Sequence, residues 1–100
     1  MECRGFCLRL GLRVCDVPLM CLYYSTARFC GVSRVMAFEL ALHALDYPTK
    51  AIATAGGCRA GTVREALRVG RGRIGARDRG DCVRILQEPD AERRHELQTF

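Results

Sequence analysis

The sequence predicts a small α+β domain in which three helices are followed by a β-hairpin, with a poorly defined N-terminal extension in front. Three observations carry that expectation. Apolar residues recur at helical spacing over 33–46. Two further helix-like runs, 50–55 and 60–69, are separated by Gly56-Gly57. Beyond Gly70 and Gly72 the apolar residues alternate with polar or small ones, which is the period of a strand.

Residues 1–35 are the least regular stretch. Glycines at 5, 11 and 31 punctuate it, and a short strand or a short helix over 19–24 is all that its pattern suggests. Arg4, Arg9 and Arg13 precede an apolar run over 17–24, an outline faintly like a secretory leader. Glu2 and Asp16 interrupt its charge logic, Pro18 breaks the run, and the run is far too short to span a bilayer. The expectation is a soluble, cytoplasmic protein with no membrane association. A compact domain is expected over 36–86, with 1–35 as an upstream extension of it and 87–100 as a short acidic helix or tail.

The first helix, 33–46, has Ser33 as a cap and Val35, Phe38, Leu42 and Leu45 on one face. Tyr47-Pro48 ends it, because the residue before proline avoids helical dihedrals. Thr49 offers a side-chain oxygen to cap the second helix over 50–55. Gly56-Gly57 supplies the backbone freedom of a tight turn. The third helix runs over 60–69 with Val63, Ala66 and Leu67 inward, and Gly70 and Gly72 end it. Residues 73–77 and 81–86 then read as strands around the turn Asp78-Arg79-Gly80, with Ile74, Ala76, Val83 and Ile85 alternating.

Composition narrows the function. Apolar residues make up 49% and charged residues 27%, the ordinary globular range. The net charge is +5, and the basic residues are fifteen arginines beside the single Lys50. Arginine presents a planar fork of donors that matches phosphate and the guanine edge, although GC-rich coding produces the same bias. The charge is unevenly placed: residues 59–84 hold eight arginines against Glu65, Asp78 and Asp81, whereas residues 86–100 are net acidic. A concentrated positive segment is the footprint of a nucleic-acid surface.

Seven cysteines at irregular spacing, without a C-x-x-C pair and with only His43 and His95 to supplement them, do not form a metal site. They read as reduced thiols acting as small hydrophobes. No metal, cofactor or catalytic constellation is expected, and the chain is not read as an enzyme. His43 lies mid-helix among apolar residues, and Cys58 stands at an apolar packing position. Gly70-Arg71-Gly72-Arg73-Ile74-Gly75 satisfies G-x-G-x-x-G, but a dinucleotide fingerprint needs a strand before it and a helix after it. Here a helix-like run precedes and a turn follows.

The segment 49–67, TKAIATAGGCRAGTVREAL, resembles the helix-turn-helix of bacterial repressors. Ala53 is the small residue where two helices cross, Gly57 the turn residue four places later, and Cys58 the apolar residue after it. Val63 and Ala66, with Leu67, are the anchors of the second helix. Gly56 beside the turn and Arg59 at a capping position depart from the pattern. With the hairpin as a wing, the whole resembles the winged helix-turn-helix regulators. That resemblance implies sequence-specific binding of double-stranded DNA by a homodimer that regulates transcription. It places Arg59, Ala60, Gly61, Arg64, Glu65 and Arg68 on a helix in the major groove, with Arg64 and Arg68 at guanine edges. Thr49 and Lys50 would meet backbone phosphate. Arg77 and Arg79 at the wing tip, flanked by Arg71 and Arg73, would reach phosphate or the minor groove. The alternative is a protein-interaction module that uses the same basic surface without reading DNA.

Overall fold

A computed structural model of the chain describes residues 10–74, 81–88 and 92. Among the described residues, a 3-10 turn at Val14–Asp16 leads into the helices α1 (Val17–Phe29), α2 (Arg34–Ala44), α3 (Thr49–Gly56), α4 (Ala60–Ile74) and α5 (Asp81–Gln87). No strand occurs among the described residues. None of these helices is long and apolar enough to cross a membrane.

The helix α2 is the centre. Ser33 caps it, its Oγ accepting from the Met36 N–H at 3.3 Å. From Ala37 to Ala44 every residue except His43 is buried. A helix apolar around its whole circumference must be covered on all sides, and α2 packs against α1, α4 and α5, with α3 at its end. Val35, expected inward, is 65% exposed, because it lies in the first turn, before the other helices close around α2.

The helix α1 lies within residues 1–35 and joins this core through Met20, Tyr23 and Ala27. Pro18 sits in its first turn, where a missing N–H costs nothing. The Tyr24 and Phe38 rings, with centroids 4.6 Å apart, lock α1 to α2. Cys30 and Val32, in the connection between the two, are also buried. The turn before α1 is tied to the loop before α3. The Tyr47 hydroxyl donates to Asp16 Oδ2 at 2.7 Å and accepts from the Arg13 N–H at 3.1 Å. Arg13 Nε also donates to Asp16 Oδ2, at 2.7 Å. These bonds, the Tyr47 one foremost, hold the Asp16 carboxyl below its ordinary pKa.

Three further expectations from the sequence need correction here. The β-hairpin wing is absent where the residues are described: the first half of its first strand is the last turn of α4, and its second strand is α5. Residues 75–80, including the expected turn, lie outside the described residues. The apolar run at 83–86 is too short for period alone to separate strand from helix. Its Val83, Ile85 and Leu86 are buried on one side of a helix. The fold is therefore all-helical over the described residues, not α+β. Second, α4 passes through Gly70 and Gly72 to Ile74. Gly70 marks a close approach, since a Cβ there would lie 2.9 Å from Leu40 Cδ1. Tertiary packing thus outweighs the weak helix propensity of glycine. Third, Thr49 is the first residue of α3, preceded by Pro48, and no side chain caps that helix.

The two α4 glycines should respond oppositely to alanine. Gly72 is exposed with nothing within 4 Å of an added Cβ, so Gly72→Ala should stabilise by about 0.5–1 kcal/mol in urea unfolding. Gly70→Ala pushes into the buried Leu40 and should destabilise by about 1 kcal/mol despite the same propensity gain. Equal gains at both sites would contradict the packing.

Glu39, on α2, is the buried charge of the core at 5% exposure, and among the described residues its Oε1 has no hydrogen-bond partner. Desolvation raises its pKa to about 7. In the pH interval between its ordinary value and 7 the folded chain then holds a proton that the unfolded chain releases. Stability should therefore fall as pH rises through that interval and level off above it. Glu39→Gln should flatten this slope and stabilise the chain at pH 8 by up to about 3 kcal/mol, with little change near pH 4. A pH-independent difference between the two proteins would sink this reading.

Candidate nucleic-acid interface

The unit formed by α3, its turn and α4 has a definite inside. Ile52, Ala53 and Ala55 of α3 face inward, as do Val63, Leu67, Gly70 and Ile74 of α4, spaced i, i+4, i+7, i+11 along one stripe. Ala53, the expected crossing residue, is 3% exposed where α3 packs against α4. Gly57 takes the left-handed conformation at φ +70°. Its N–H bonds the Thr54 carbonyl and the Cys58 N–H the Ala53 carbonyl at 3.0 Å, which closes the end of α3 in a Schellman arrangement. The Arg59 carbonyl then accepts from Thr62 and Val63 N–H groups and starts α4.

Burying one stripe of α4 sets what the rest of it shows to solvent. At 100° per residue, Gly61, Glu65, Arg68 and Gly72 fall opposite Val63 and Arg64 falls on the flank, and all are exposed. Arg64, Arg68 and Arg71 follow one another at i, i+4 and i+7 along one edge of that surface, with Arg71 half-buried. Arg73 is exposed on the other edge, with Thr62. Of the remaining expected contacts, Arg59 and Lys50 are exposed, and Thr49 and Ala60 are half-buried. Arg77 and Arg79 lie outside the described residues.

Arg68 and Glu65 form a forked ion pair, with Arg68 Nη2 2.6 Å and Nε 2.9 Å from Glu65 Oε2. The pair lowers the Glu65 pKa and raises that of Arg68. Both groups are solvent-exposed, so its structural contribution is small. On the surface it sets the Arg68 guanidinium beside the Glu65 carboxylate and partly offsets its charge. The Arg64 guanidinium folds over Gly61, where an added Cβ would be 3.9 Å from its Nη2.

Two exposed residues beside this surface were not expected from the sequence as contacts. Cys58, taken as a packing residue, is exposed in the turn. Thr62, exposed in the first turn of α4, is a hydroxyl donor next to Arg59; projecting α4 onto a helical wheel with Val63 inward would have found it. The G-x-G-x-x-G match is not a phosphate loop, since Gly70 to Ile74 are helical. Among the described residues no cluster of His, Cys, Asp and Glu could hold a metal ion. No protein-family model, curated protein or solved structure matches the chain.

Proposed function

We propose that the surface of α4, together with the N-terminal end of α3, binds double-stranded DNA and reads its sequence, and that the protein regulates transcription. The observation that carries this reading is the outward placement of Arg64 and Arg68 on a helix whose opposite stripe is fully buried, with the half-buried Arg71 at the margin of that surface. A helix of α4's length fits the major groove, and arginines at its exposed positions reach base edges without rearrangement of the core. Lys50 and Arg59, exposed near the two helix starts, are suited to backbone phosphate, where helix N-termini add favourable partial charge. Glu65 acts as the positioning partner of Arg68. Without a wing, base readout rests on α4 alone.

The experiment is an anisotropy titration of duplex DNA at several salt concentrations, using a sequence selected from a random pool. Arg64→Ala and Arg68→Ala should each cost about 1–3 kcal/mol on the selected site and less on random duplex. Lys50→Ala should weaken both equally and reduce the salt slope by about one. Glu65→Gln, which frees the Arg68 charge, should tighten random-duplex binding and narrow the gap to the selected site. Unchanged affinity in both arginine variants would refute the assignment. Equal binding of DNA and of a simple acidic polymer would instead make this basic surface a protein-interaction module.

A further inference from the structure

The large apolar side chains that stay exposed among the described residues gather in one part of the fold, away from the basic surface of α4. They are Val14, Val17, Leu19, Leu22, Phe29 and Val35. All come from the 3-10 turn, α1 and the first turn of α2, and none from α3, α4 or α5. On α1, Leu22 and Phe29 lie on the side turned away from the buried Met20, Tyr23 and Ala27, and the partly exposed Leu19 lies at the margin beside Tyr23. This is also why α1 lacks a clear period: it is apolar on its outer side as well.

At the C-terminal end of that stripe is an open groove of about 610 Å³, lined by Tyr24, Ser25, Arg28 and Phe29 of α1 and by Arg34 of α2. Phe29 is 87% exposed at its rim. Arg28 is held in place there, its Nη1 donating to the Val32 carbonyl at 2.9 Å. Arg28 and Arg34 thus line the same groove as an exposed aromatic ring, and no carboxylate is among its described lining residues.

We propose that this groove and the adjoining stripe dock an amphipathic segment of a partner protein, one with carboxylates beside an apolar row. Its apolar side chains would cover Phe29 and Leu22, while its acids meet Arg28 and Arg34. Exposed aromatic rings bordered by arginine are the residues that dominate protein interfaces. A second copy of this chain is a poorer occupant, because α1 contains no acidic residue to offer those arginines. Asp16, just before α1, is already bound by Tyr47 and Arg13. Two copies meeting through this same face would bring cation against cation, and like charges in an interface select against the pairing.

The test uses the full chain and a labelled helical peptide of roughly 15 residues, long enough to hold some helix in water. It carries leucines at i, i+3 and i+4 spacing with flanking glutamates; a twin has glutamine in their place. The glutamate peptide should bind, with the twin about tenfold weaker, equivalent to about 1.4 kcal/mol. Phe29→Ala and Arg34→Glu, both at exposed positions, should each weaken the glutamate peptide about tenfold and leave the unfolding transition and DNA binding unchanged. Equal binding of the two peptides, or none of either up to about 1 mM, would overturn the proposal. So would sedimentation as a dimer that Phe29→Asp dissociates, which would assign the face to a second copy.

Discussion

The seating of α4 on α2 is the contact on which the rest of the structure depends. Gly70 lets the two helices approach until only the Leu40 side chain separates them. Val63, Leu67 and Ile74 on the same stripe of α4 are each almost completely removed from solvent among α2, α3 and α5. A stripe of this kind is stabilised at roughly 25 cal/mol per Å² of apolar surface buried, and rotating the helix would forfeit most of it. The rotation of α4 is therefore fixed by packing. Arg64 and Arg68 point outward as a consequence of where Val63 and Leu67 must go.

The same central helix organises the opposite side. Because α2 is apolar on every side, α1 and α5 cover what α4 leaves, and the outer surface of α1 is left carrying leucine, valine and phenylalanine. The protein thereby acquires two surfaces of different chemistry on one core: a polar, cationic one on α3 and α4, and an apolar one bordered by arginines on α1. Under the two proposals made above, the first would hold a nucleic acid and the second a protein. Glu39 in the middle of that core is the exception to its apolar character, and desolvation there raises its pKa to about 7.

The parts legible in the sequence are those with a strong local cause. Ser33 before a run of apolar residues announces α2, and Gly57 announces a left-handed turn, because few other residues accept that conformation. Val63 and Leu67 four residues apart announce the inner side of α4. What escaped has non-local causes. Gly70 is a helix breaker by propensity and a helix contact by packing, and only the position of Leu40 decides between them. Val83 and Ile85 alternate as they would in a strand, yet one turn of helix can bury both. The helix α1 is hidden because its exposed Leu22 and Phe29 blur the contrast with its buried Met20 and Tyr23. Cys58 follows the turn glycine as an apolar residue commonly does, but nothing packs above it to bury it.

The most direct test is to map amide shifts on the ¹⁵N-labelled full chain as duplex DNA is added. The account requires the largest changes at Lys50, Arg59, Gly61, Arg64, Glu65 and Arg68, with Leu22 and Phe29 on α1 unaffected. Changes centred on α1, or spread evenly through the buried residues of α2, would contradict it.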